Sequence, residues 1–214
     1  MVRLGGLALL IGVLLSSCRI GQWNGDPEAP SVVVMGDSLV YMSDASVLGG
    51  TETYVTDELV TGGHRAYVTG WIGATVNFSY LHLWNQSSRM GITPDVLVIA
   101  LGTNDMRVNP QTGLPSTTPE AAAIVLGSWL AEVPDACVRL VGVAESVTGW
   151  GLDVTGPGWN AMLAATAATH ADAAYVAWEP LTAWTEGGAN PHLSPEGREA
   201  YRALLVSAAM SCQE

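Results

Sequence analysis

The sequence contains no lysine: all eight of its basic residues are arginine, set against 20 acids for a formal charge of −12. No run of bases exists that would neutralise successive phosphates, which argues against nucleic-acid binding. Anionic partners also gain no long-range attraction. Histidine is sparse at four residues and cysteine at three, in neither a C-x-x-C nor an H-E-x-x-H spacing, so no metal site is expected. The glycine loops match neither the P-loop nor the dinucleotide fingerprint, and no cofactor is expected. The G-x-S-x-G elbow of the α/β-hydrolases is missing too. No apolar run reaches the roughly 20 residues of a membrane-spanning helix. Internal repeats and low-complexity tracts are also lacking.

Hydrophobic residues make up 49% of the 214-residue chain, enough to bury one good core. The N-terminus reads as a targeting segment: Arg3 supplies charge, residues 4–15 are apolar, and Ser16-Ser17-Cys18 closes the run. Leu15-Ser16-Ser17-Cys18 resembles the bacterial lipobox, in which the cysteine is lipidated; an ordinary secretory signal is the other reading. Residues 1–18 are thus expected as signal, 19–30 as a polar tether and 31–214 as one domain, a monomer expected in the cell envelope or secreted. Membrane contact is expected only through such a lipid anchor. Export permits a disulfide, and Cys137 and Cys212 either pair or stay as two thiols, since sequence does not supply their separation.

Strand-length apolar runs alternate with helical segments. The strand candidates are 31–35 (SVVVM), the weaker 66–68, 95–101 (DVLVIAL), 138–143 (VRLVGV) and 174–177 (AYVA). Near-continuous apolarity, rather than alternation, marks parallel strands buried on both faces. Helices are expected over 57–62, 78–90, 119–132, 158–169 and 195–210, the last opened by Ser194-Pro195 as N-cap and first helical residue. This pattern predicts an α/β fold, a three-layer α/β/α sandwich with a parallel sheet of about five strands. In such sheets ligands sit beyond the carboxyl ends of the strands.

Four loops at that edge carry chemistry. Ser38 follows Gly36-Asp37 where the first strand passes into a helix, a position that exposes a hydroxyl to a base. Gly73 lies in the glycine loop Gly70-Trp71-Ile72-Gly73 after the second strand, where a backbone N–H can approach an oxygen closely. Asn104, in Gly102-Thr103-Asn104-Asp105, offers a neutral amide donor for a developing oxyanion. His192 precedes the last helix and is the histidine placed at this edge to act as base. Each has a plainer reading alone: helix cap, turn glycine, turn cap and solvated histidine.

Together these blocks resemble the SGNH (GDSL-like) hydrolase family, named for Ser, Gly, Asn and His in this order, over about residues 32–201. The resemblance implies a flavodoxin-like sandwich and a serine esterase with Ser38 and His192 as catalytic pair. It also implies an oxyanion hole from the Ser38 and Gly73 backbone N–H groups and the Asn104 side chain. One position departs from the pattern: the family's orienting Asp, three residues before the histidine, is here Ala189. In a serine protease, losing that acid costs about 10⁴ in rate. A dyad, a displaced acid such as Glu186 or Glu179, or an impaired site are the accounts left open. The substrate expected is a small-molecule or glycan ester; a lysophospholipase or thioesterase, or a non-catalytic binding protein, are the alternatives. Eight tryptophans stand against one phenylalanine, and Trp71, Trp150, Trp159 and Trp184 map to the loops of the same edge, where indoles stack on sugars or acyl chains. Asp37, Asp105 and Asp153 are expected to add negative charge at the mouth.

Overall fold

Valine-rich runs build the sheet because β-branched side chains fit a pleated surface covered on both sides. In the computed structural model, which describes residues 22–44, 54–85, 91, 93–148, 150–178 and 192–212, six strands form one sheet in the order β1-β3-β2-β4-β5-β6. They are β1 (Trp23–Asn24), β2 (Ser31–Gly36), β3 (Arg65–Gly70), β4 (Val96–Ala100), β5 (Cys137–Val141) and β6 (Ala173–Val176). All pairings from β3 to β6 are parallel, with Gly36 level with Gly70 on one side and Ala100 on the other. Val32, Val33, Val34 and Met35 are all fully buried, so successive side chains on both faces of β2 meet protein. Helices on both faces explain this.

Among the described residues seven α-helical segments accompany the strands: α1 (Ser38–Asp44), α2 (Val55–Thr61), α3 (Val76–Phe78), α4 (Thr103–Met106), α5 (Pro119–Ala131), α6 (Leu152–Ala167) and α7 (Pro195–Met210). A π-helical turn, Ser79–Trp84, continues α3. Helices α1, α2 and α7 pack together on one face, while α3, α5 and α6 pack on the other. Setting the edge strand β1 aside, the parallel order is the flavodoxin-like 2-1-3-4-5, and its reversal falls between β2 and β4. The crevice at that reversal lies between the loops that carry Ser38 and Asn104.

Three elements differ from the sequence expectation. Within the stretch expected as tether, Trp23–Asn24 pairs antiparallel with β3, and the Arg65 guanidinium lies 4.3 Å from the Trp23 ring centroid. An aromatic–cation stack thereby holds a two-residue strand that has no hydrophobic pattern of its own. Helix α6 starts at Leu152, six residues before 158, and runs through Gly156-Pro157-Gly158. Tertiary contacts outweigh those breakers: Thr155 Oγ1 donates to Met106 O at 2.9 Å, and Gly156 lies close against Val143 and Glu145. Strand β5 stops at Val141, where Gly142 meets the Tyr175 and Asn160 side chains. Cys137 and Cys212 are joined by a disulfide with Cα atoms 5.9 Å apart, tying the start of β5 to the end of α7. Among the described residues no helix is long and apolar enough to cross a membrane.

Candidate active site

The turn after β2 is built by Asp37. Its Oδ1 accepts the Leu39 N–H at 2.9 Å and its backbone oxygen accepts the Tyr41 N–H at 3.0 Å, which caps α1 and sets Ser38 as that helix's first residue. Gly36 is required there, since a Cβ would lie 2.1 Å from Val40 Cγ2 and 2.8 Å from the Ala100 oxygen. Ser38 is mostly covered, at 6% exposure.

Asn104 joins this turn to the glycine loop. Its Nδ2 donates to Ala74 O at 3.1 Å, next to Gly73, and reaches Asp37 Oδ2 at 3.5 Å, next to Ser38. The first is a sound hydrogen bond; the second is near the limit of one, so the amide's second hydrogen is held only weakly. That hydrogen is the donor an oxyanion would recruit. Gly73 is exposed and takes φ +79°, a conformation that favours glycine. Gly102 opens the Asn104 turn at φ +130° with the Trp159 ring packed against it, so no side chain fits.

A second carboxylate braces the loops from below. Asp105 accepts the Val76 N–H at 3.1 and 3.3 Å and bonds the Thr117 side chain, fixing the loop after β3 to the turn after β4. Asp37 and Asp105 are both buried, contrary to the expectation that they charge the mouth. Apolar packing around β2 and β4 shuts water out of both positions. Burial pushes the Asp37 carboxyl up to about 7, partly offset by the Leu39 N–H and Thr103, with the nearby Asp105 charge raising it further. Burial likewise raises Asp105 to about 6. Asp153 is exposed, as a mouth charge requires.

His192 is half-buried and packs edge-on against Trp150, ring centroids 6.0 Å apart and planes at 71°. Trp150 in turn lies under the Arg107 guanidinium at 4.4 Å, and its backbone oxygen accepts the Val108 N–H at 3.0 Å. A continuous set of contacts therefore runs from the Asn104 turn through Arg107 and Trp150 to His192. The structure thus groups the Ser38, Gly73 and Asn104 loops directly and links His192 to them through Trp150.

The rim tryptophans separate. Trp71 is 58% exposed beside Ile72, and Trp150 is half-buried, whereas Trp159 is fully buried with its Nε1 donating to Leu101 O at 3.3 Å. Trp159 is a core residue, not a cleft wall, because the early start of α6 turns it inward. Glu186, Glu179, Ala189, Trp184 and Cys18 lie outside the described residues. Sequence reasoning missed the bracing roles of Asp37 and Asp105. Their signal was an acid in the turn after each of two apolar strands, one residue past β2 for Asp37 and five past β4 for Asp105, where a buried loop needs an acceptor for its N–H groups.

No protein-family model and no curated protein matches the chain. Solved structures do. An acetyl-xylooligosaccharide esterase from Geobacillus superposes with a TM-score of 0.67 at 16% identity, over 87% of this chain and 95% of that one. An acetyl xylan esterase matches at 0.63 and 16% identity, over 83% and 98%. The lipase/acylhydrolase from Enterococcus faecalis matches at 0.60 and 17% identity, over 83% and 94%. At these identities the likeness establishes the fold: an α/β architecture with a mostly parallel six-stranded sheet flanked by helices.

Proposed function

We propose that this chain is a serine ester hydrolase of the SGNH type that works through an acyl-enzyme. The observation that carries the reading is the Asn104 amide, which contacts the residue beside Ser38 and the residue beside Gly73 at the reversal point of the sheet. In the reaction, His192 takes the Ser38 hydroxyl proton as Oγ attacks the ester carbonyl. The carbonyl oxygen, now negative, is held by the Ser38 and Gly73 backbone N–H groups and the Asn104 amide. Collapse expels the alcohol, which receives the proton from His192. Water then attacks the acyl-Ser38 ester with the same imidazole as base.

The substrate class we favour is a small acyl group on a cell-envelope glycan. Two neighbours in the fold are, by name, esterases of acetylated xylan or its oligosaccharides. The exposed Trp71 indole, two residues from Gly73, supplies a flat apolar surface on which a sugar ring can stack. The leader-like residues 1–18 support export and an envelope location. Ser38→Ala should abolish hydrolysis of a short p-nitrophenyl ester and covalent labelling by a fluorophosphonate, with an unchanged circular dichroism spectrum. Wild-type turnover in that variant would remove Ser38 as nucleophile. Brisk cleavage of lipid esters without acetate release from acetylated glycans would overturn the substrate class.

A further inference from the structure

A catalytic imidazole works only if its ring is held at one angle, and the residue three before His192 is an alanine. Among the described residues, Trp150 packs against the ring, its plane at 71° to the imidazole and its centroid 6.0 Å away. Trp150 is itself fixed from two directions. The Arg107 guanidinium lies over the indole at 4.4 Å, and the Val108 N–H bonds the Trp150 backbone oxygen at 3.0 Å. The next turn of chain is fixed to the same segment, since Thr155 Oγ1 donates to Met106 O and Gly151 packs on Val108. Met106 ends the turn that holds Asn104, and Arg107 and Val108 directly follow it. The imidazole is therefore referenced, through one indole, to the segment that carries the oxyanion donor.

We propose that Trp150, clamped by Arg107, is a positioning residue that sets the angle of the His192 ring toward Ser38. This rests on the reading of His192 as the base. It makes Trp150 part of the catalytic geometry rather than of the substrate surface, so its loss should lower turnover and leave substrate binding alone. A planar apolar ring is what the contact needs, because edge-to-face packing is shared by all aromatic side chains. Arg107 is exposed, so it can be removed without opening the core.

The test compares Trp150→Ala, Trp150→Phe, Arg107→Ala and His192→Ala in the full chain, using a short p-nitrophenyl ester and the rate of fluorophosphonate labelling. A misplacement of about 1 Å costs up to 10²-fold. Trp150→Ala should lower kcat and the labelling rate together by about 10- to 100-fold while KM stays within about 2-fold, the pattern of a lost transition-state interaction. Trp150→Phe should restore most of the rate, and Arg107→Ala should fall between. The His192 ring-proton resonances, displaced by the indole ring current, should move in Trp150→Ala and largely return in Trp150→Phe. Trp150→Ala with kcat within about 2-fold of wild type overturns the proposal, as does a rise in KM at constant kcat. Should Trp150→Ala fail to fold, Arg107→Ala decides: an unchanged rate and unmoved His192 resonances overturn the proposal. If His192→Ala keeps its turnover, the base assignment falls and the proposal with it; if His192→Ala is inactive while Trp150→Ala keeps kcat within about 2-fold of wild type, only the role of Trp150 falls.

Discussion

Replacing Asp37 by asparagine removes a charge that the fold buries at a cost. The carboxyl stands at about 7 in the folded chain against 3.8 for an unperturbed one, so the folded state holds its proton after the unfolded state has released it. Stability contributed by the neutral acid is fully present below pH 4 and is lost as pH rises through about 7. A displacement of roughly 3 units corresponds to at most about 4 kcal/mol. Asparagine keeps an oxygen for the Leu39 N–H and remains a good helix cap, but its own NH₂ faces the Asn104 amide, a donor against a donor. Losing that contact and the Thr103 bond subtracts about 1 kcal/mol. At pH 8 the variant should therefore be more stable by about 2–3 kcal/mol, or roughly 5–10 °C in Tm for a chain of this size. At pH 4 the two proteins should melt together or the variant slightly earlier. The assay is thermal unfolding by circular dichroism from pH 4 to pH 8, with ester hydrolysis measured alongside. Turnover should drop at every pH because the donor–donor contact pushes the Asn104 amide out of place. A Tm difference that does not change with pH would refute the electrostatic reasoning.

Other outcomes test the remaining parts. Asn104→Ala should lower kcat by about 10²–10³-fold with little change in KM, as for other oxyanion donors, and a loss under about 10-fold would argue against that role. Replacing Cys137 and Cys212 by serine opens a loop of separation 75, which the chain-entropy relation values at about 4 kcal/mol, or roughly 8–16 °C in Tm. Activity at 25 °C should survive, because the bridge sits at the start of β5, the sheet edge opposite the Ser38 rim; a Tm change under about 3 °C would show that Arg139, which bonds Ser211 at 2.9 and 3.0 Å, already fixes the end of α7.

Much of the fold is written locally. The runs 31–35 and 95–101 are apolar without alternation, and only burial on both faces by helices makes such strands stable, so the sandwich followed from them. The end of each strand then marked where Ser38, Gly73 and Asn104 had to be sought. Local pattern failed where distant contacts decide the outcome. The strand at Trp23 depends on Arg65, the early start of α6 on Met106, and the burial of Trp159 on Gly102.

The sequence by itself determined the alternation of strands and helices and the polar residues at their junctions, because both follow from the periodicity of neighbouring side chains. Tertiary structure alone decided that Asp37 and Asp105 are buried braces, that Cys137 meets Cys212, and that Trp150 stands between Arg107 and His192. Each of these is a meeting of residues far apart in the chain, and whether a charge or an indole faces water or protein is set by which distant segment arrives beside it.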